Sequence, residues 1–233
     1  MWVNPAGLAR YEEASLHLDL SVVDPGAAGR LRQLTLGVNS RGLAFGYQRD
    51  VFADGGRGHT YRIGFAAGHA GLAAGVAAAL YRGATTGTGW DLGLLYDWTP
   101  SVSLAGVVQN VGRPNVRGTT LPVTYVPGAT LHLLGARAAL SASSRLTSAG
   151  VVGYSLGARA RFTDAPQLPL ALLARIDTDR ALHGAGFAFG LSLGAQDFAG
   201  LLATAPGNLG RIDALDLYGV STRRFRPGRI LRD

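Results

Sequence analysis

Cysteine is absent from the 233 residues, which excludes a disulfide framework, a thiolate nucleophile and any cysteine metal site. Lysine is absent too, so every basic residue is an arginine, and the arginines are scattered along the chain. Without a basic cluster interleaved with aromatics, the net charge of +7 and pI near 10.3 do not point to nucleic acid. Charged residues make up only 16% of the chain, where a soluble domain carries roughly 25%. Met1-Trp2-Val3-Asn4-Pro5 lacks the basic and apolar regions of a secretory signal, so any leader is either removed or lies upstream. Long apolar runs are nearly missing: Ile63 to Tyr81 is free of formal charge, but glycines 64, 68, 71 and 75 and His69 make it a poor helix. Its centre, Gly68-His69-Ala70-Gly71, reads better as a tight turn between two strands.

What is present is alternation. Ala14, Leu16, Leu18, Leu20 and Val22 interleave with Glu13, Ser15, His17, Asp19 and Ser21, so a strand would have one apolar and one polar face. Leu34, Leu36 and Val38 interleave with Gln33, Thr35, Gly37 and Asn39 in the same way. Trp90, Leu92, Leu94, Tyr96 and Trp98 alternate with Asp91, Gly93, Leu95 and Asp97, and similar runs cover 152–162 and 185–193. Strands are expected at 13–22, 31–39, 42–50, 59–68, 71–82, 89–98, 102–110, 122–134, 136–144, 151–163, 167–177, 184–194, 197–205 and 211–223. That is an all-β chain of about fourteen strands with lengths suited to a transmembrane antiparallel up-and-down β-barrel.

Connections at 39–42, 68–71, 99–101 and 194–197 read as short, those at 51–58, 83–88, 111–121, 145–150 and 206–210 as mostly longer. Alternating short and long ends is the pattern of an even-stranded membrane barrel. The non-apolar face is mostly Gly, Ala and Ser, which suits a lumen better than a water-facing sheet surface. Trp90, Trp98, Tyr96 and Tyr154 are placed as interfacial girdle residues, with Tyr47, Tyr61 and Tyr81 near other strand ends. Pro127 stands against this reading, because inside a strand it removes a ladder donor.

Asn4-Pro5-Ala6-Gly7, followed by Leu8-Ala9, resembles the Asn-Pro-Ala motif near the start of the long-chain fatty-acid transporter (FadL-like) barrels and their PorV-type relatives. Asp91 to Gly112 is similar to the strand, Thr-Pro turn, strand and Asn-Val/Leu-Gly unit of PorV-type barrels, and Leu121-Pro122 with the following strand fits the next element. The resemblance extends over nearly the whole chain. It implies a barrel of the bacterial outer membrane, embedded in the lipid bilayer, with no enzymatic activity and no cofactor. Residues 1–12 then correspond to a short remnant of a hatch or plug, 13–225 to the barrel and 226–233 to a basic tail or truncated linker, with Phe225 as candidate assembly signal. The resemblance implies passive transport or binding of hydrophobic small molecules, a ligand or detergent occupying the lumen. Its alternative is a non-catalytic partner of a protein secretion or surface-attachment system, favoured if the hatch is missing, or the barrel portion of a larger protein.

No catalytic or metal constellation appears. The five histidines are dispersed without metal-ligand spacing, and Gly153-Tyr154-Ser155-Leu156-Gly157, which has the letters of a nucleophile elbow, falls in mid-strand. Inward charge carries the functional content. Arg62, Arg137, Arg159, Arg161 and Arg175 share lumen parity with Asp91, Asp97 and Asp177. Either they pair with one another and fill the barrel, or the arginines draw an acidic head group inward.

Overall fold

A computed structural model describes residues 3–10, 14–23, 30–116, 118–163, 170–195, 198–205 and 214–223. Phe225 and the 226–233 tail lie outside them. The strands are β1 (Ala14–Val23), β2 (Arg30–Ser40), β3 (Leu43–Val51), β4 (Arg57–His69), β5 (Leu72–Gly83), β6 (Thr85–Thr99) and β7 (Val102–Val111). They continue as β8 (Thr124–Leu133), β9 (Ala138–Thr147), β10 (Gly150–Arg161), β11 (Leu170–Asp179), β12 (Gly184–Ala195), β13 (Phe198–Ala205) and β14 (Ala214–Arg223). Each pairs antiparallel with its neighbours in sequence, and β14 pairs with β1 from Ala14↔Arg223 to Val23↔Ala214. The ladder therefore returns to its start. A closed sheet has no free edge, so every strand can satisfy its backbone groups without water, as a lipid environment demands.

Period 2 then sorts the side chains. Leu16, Leu36, Phe45, Ile63, Leu94 and Leu156 point outward and are exposed, whereas Ala44, Ala66, Ala73, Ala77, Thr35 and Asp91 point inward and are buried. An outer surface of exposed Leu, Ile and Phe around an inner wall of small and polar residues is a membrane barrel's surface, with lipid as the missing covering. Leu94→Arg should accordingly cost roughly 2–4 kcal/mol near the midplane, read as a lowered urea midpoint for the barrel in phospholipid vesicles. An unchanged midpoint would take Leu94 off the lipid face.

The turns explain two hairpins. Arg41 and Gly42 have φ of 47° and 83°, and Ala70 and Gly71 have 49° and 83°. Two successive positive values make type I′ turns, whose twist matches paired strands. The second splits the apolar run Ile63 to Tyr81 between β4 and β5. No helix among the described residues is long and apolar enough to cross a membrane, which says nothing about crossing by strands. Alanine occupies the left-handed region unwillingly and asparagine readily, so Ala70→Asn should stabilise the barrel by about 0.5 kcal/mol in the same unfolding assay.

Pro127 lies inside β8, as feared, yet costs little. It faces Gly106 in the ladder to β7, while the ladder to β9 passes from Tyr125↔Leu146 to Gly128↔Ser143 and skips it, so the absent N–H falls at an interruption.

The short-and-long alternation holds only in part. β5 and β6 are joined by Ala84 alone, and β9 and β10 by residues 148–149, at the end expected to carry long loops. Residues 162–169, at the other end, separate β10 from β11. The reason is visible at β6: its ladder with β5 ends at Tyr81↔Gly87, and Thr85 and Thr86 turn aside to pair with Val116 and Asn115. The segment expected as a loop is thus strand-like, built into a cap with the 115–116/119–120 hairpin. Pro114 is fully buried there, its ring against Gly89.

Candidate functional site

Residues 3–10 enter the barrel. Asn4 accepts the Ala6 N–H through Oδ1 at 2.9 Å and its carbonyl accepts the Gly7 N–H at 3.1 Å, so it caps a short 3-10 helix, Pro5–Arg10. Proline at the first helical position loses no bond and presets φ, which explains why Asn-Pro begins the turn. This segment packs on the inner face of β4, β5 and β6. Pro5 and Ala6 are buried against Gly75, where a Cβ would come within 2.6 Å of the Pro5 carbonyl carbon, and Asn4 lies over Gly93. Asn4 Nδ2 donates to the Leu94 carbonyl at 3.3 Å, Leu8 packs with Ala44 and Ala66, and Arg10 pairs with Asp97 at 2.7 Å. Ser103 donates to the same Asp97 oxygen at 2.6 Å.

Between this segment and β1–β3 is a cavity of about 500 Å³. Val3, Asn4, Gly7 and Leu8 form one side, and β1, β2 and β3 form the other, where His17, Asp19, Gln33, Thr35, Asn39 and Gln48 stand beside Gly37, Val38 and Ala44. These side chains are tied to their neighbours. Ser15 Oγ meets His17 Nε2 at 2.7 Å and donates to Asn39 Oδ1; Gln33 Nε2 donates to Thr35 at 3.0 Å, and Gln48 Nε2 to Asp50 at 2.9 Å. Rotamers held this way cost a ligand little ordering entropy.

Sequence reasoning chose charged residues, and the structure distributes them differently. Arg62 and Asp91 face each other across the inner wall at 2.7 Å, both nearly buried. Arg175 pairs with Asp177 on its own strand at 3.1 Å, and Ser155 Oγ donates to Asp177, so the residue in the elbow-like motif is an ordinary strand neighbour. Asp97 holds Arg10, a partner the sequence did not offer. Arg159 and Arg161 keep lumen parity on β10 and are exposed. Arg137 does not belong with them: it is an exposed residue of the turn before β9, because that strand starts at Ala138, later than alternation implied. None of these lines the cavity. Of the residues that do, Asn4 and Gly7 belong to the Asn-Pro-Ala-Gly motif, whereas the polar residues of β1, β2 and β3 carried no motif.

On the outside, Trp90, Trp98 and Tyr96 are exposed at 49%, 65% and 41%, and Tyr154 shares their outward parity, half-buried. Trp90 and Trp98 are roughly 26 Å apart along β6 at about 3.3 Å per residue, near the height of an apolar band before strand tilt. Tyr47 stacks with His59, its hydroxyl 2.9 Å from Nδ1, and packs at a tilt of 43° against Tyr61. Tyr81 is the exception to the girdle expectation. It is buried and inward, against Gly89, since it shares parity with Ala77 and Ala79.

No family model matches the chain, and no curated protein does. Solved structures do. The toluene transporter TodX of Pseudomonas putida is similar at TM-score 0.64 and 13% identity, over 96% of this chain and 93% of that one. The monoaromatic hydrocarbon channel CymD has TM-score 0.64 at 13% identity, over 95% and 90%. A FadL homologue of Pseudomonas aeruginosa has TM-score 0.57 at 11% identity, over 96% and 93%. At these identities the likeness is one of fold, and it is the fold that the Asn-Pro-Ala resemblance implied.

Proposed function

We propose that this chain is a barrel of the bacterial outer membrane that passes hydrophobic small molecules passively, with residues 1–12 as its plug, 13–225 as its barrel and 226–233 as a basic tail. The observation that carries this is the cavity of about 500 Å³ inside a closed barrel, bounded by a docked N-terminal segment. Its size is that of a small-molecule site. The fold shared with a toluene transporter and a hydrocarbon channel supports the same reading. The role is non-enzymatic: the bilayer and a lumenal ligand are the partners, and permeation needs no cofactor. The arginines play a structural part in it, balancing Asp91, Asp97 and Asp177 across the inner wall. The alternative is a secretion-system partner, to which the Asp91–Gly112 unit and a missing hatch would point; the docking of residues 3–10 on β4–β6 supports the transport reading over it.

The test has two steps. The chain is folded into detergent and compared on a gel before and after boiling, a heat-shifted, strand-rich band being expected. It is then titrated with N-phenyl-1-naphthylamine against a boiled control. Saturable fluorescence enhancement in the folded protein alone is expected; equal signals from folded and boiled protein would refute a lumenal ligand site.

A further inference from the structure

The geometry points to a lipid site on the outer wall of β3 to β6: Arg49, His59 and Arg82 hold the phosphate of an anionic lipid headgroup, and an acyl chain lies in a groove beside them. The inference rests on the membrane location of the barrel and is independent of what the lumen carries.

The ladder sets the row. Arg49 stands opposite His59, and His59 opposite Arg82, so the three are side by side at one level on adjacent strands, about 5 Å from strand to strand. Two residues toward the middle of the wall, Tyr47, Tyr61 and Leu80 are aligned in the same way, and two further on come Phe45, Ile63, Ala78 and Trp90. Period 2 puts all of them on one face, and the exposure of Phe45, Tyr61, Ile63 and Trp90 identifies it as the lipid face. The wall thus passes from apolar to aromatic to cationic, the order in which a bilayer passes from acyl chains to headgroups. The tight turns at 41–42 and 70–71 are at the opposite end of these strands. Tight turns mark the periplasmic end, so the row meets the outer leaflet.

Charge and shape both fit such a lipid. No carboxylate of β2 to β6 shares the outward face, because Asp50 aligns with Gln33 of the cavity wall, Asp91 with buried Ala77, and Asp97 holds Arg10 inside the barrel. Asp50 is within electrostatic reach of His59 but takes Gln48 on both oxygens, and Asp54 of the β3–β4 loop accepts the Gly56 N–H. Arg49 Nε is buried without a hydrogen-bond partner. Arg82 donates to the Tyr81 carbonyl at 3.0 Å, which leaves most of its fork over, and exposed Arg57 adds a further guanidinium two residues beyond His59. Guanidinium forks match phosphate oxygens in pairs. Adjoining the row, Tyr61, Ile63, Leu80 and Trp90 border a groove of about 350 Å³ with Ala78 among its lining. Alanine between larger neighbours makes the dent, and a run of methylenes fills it with apolar contact.

Bromine on an acyl chain quenches a tryptophan that it touches, and Trp90 borders the groove. Trp2→Phe with Trp98→Phe leaves Trp90 as the single reporter in the full chain. That protein is folded into phosphatidylcholine vesicles containing brominated phosphatidylglycerol or brominated phosphatidylcholine of the same chains. Phosphatidylglycerol should be preferred at Trp90 by about fivefold, and Arg49→Gln with Arg82→Gln should bring the ratio to within about twofold. With Trp98 as the single tryptophan instead, the ratio should not respond to the arginine variants. Each variant is first checked for the heat-shifted band, and Arg57→Gln with Arg82→Gln, both at exposed positions, replaces the first pair if that fails to fold. A ratio near one in the parent, or one that the arginine variants leave unchanged, would overturn the inference without touching the transport reading. Loss of the preference in inorganic phosphate, but not in sodium chloride of equal ionic strength, would also overturn it, since the row would then be a site for the free anion.

Discussion

Asp91→Ala will destabilise the barrel by about 3–5 kcal/mol, the cost of stranding one member of a buried ion pair. Arg62 approaches Asp91 at 2.7 Å with the two side chains 10% and 7% exposed. Asp91 also accepts the Asn110 backbone N–H at 2.9 Å, tying the β6–β7 hairpin to the pair. Removing the carboxylate takes away the arginine's charge partner and a backbone acceptor in one step. Arg62→Met should cost less, because the Asn110 N–H still serves the remaining carboxylate. The double variant Arg62→Met/Asp91→Leu should recover the part of the loss due to the stranded charge, since an apolar pair of similar volume carries no desolvation penalty, but not the part due to the Asn110 N–H. Urea unfolding in phospholipid vesicles gives all three values. A loss below about 1 kcal/mol for Asp91→Ala would mean that water reaches the pair and screens it.

Gly75→Val should unseat the N-terminal segment while leaving the barrel closed. A Cβ at this position would come within 2.6 Å of the Pro5 carbonyl carbon and 2.7 Å of the Ala6 nitrogen, both backbone atoms that cannot swing aside as a side chain would. The ladder of β5 with β4 and β6 needs no side chain there. Because the chain has no cysteine, Ala6→Cys gives a single thiol at a position 0% exposed. Its maleimide labelling should be slow in the parent barrel and at least about tenfold faster with Gly75→Val, as local opening exposes the site. Gly106→Val is the control, since its Cβ meets nothing within 4 Å. Equal labelling in both backgrounds would show that the glycine does not seat the segment.

The strands were legible because a two-faced wall writes period 2 into the chain. β1, β2 and β6 alternate almost without fault, and even the poorly alternating 136–144 and 197–205 segments correspond to β9 and β13. The connections were less legible. A Gly-Thr-Gly stretch at 87–89 looks like loop, and only the pairing of the preceding Thr85 and Thr86 with distant Val116 and Asn115 explains why strand begins before it. The cavity was hidden for a different reason. Alternation says which side a residue faces but not which inward residues meet, so charge was the only available signal. Charge singled out Arg62 and Asp91 without saying that they meet, and missed the neutral amides of Gln33 and Gln48. Gly75 and Gly93 were equally silent: within an alternating pattern they register as small lumen residues, not as a seat for Asn4, Pro5 and Ala6.

The seam between β1 and β14 has a consequence for how the protein is made. It joins Ala14 to Arg223, almost the two ends of the described chain, through ten consecutive residue pairs. A nascent chain cannot form those contacts until β14 has been made, some 190 residues after β1. Long sequence separation makes such closure slow, and slow closure with exposed apolar strands invites aggregation. Closure therefore waits on β14, and the earlier strands stay exposed to wrong pairing in the interval.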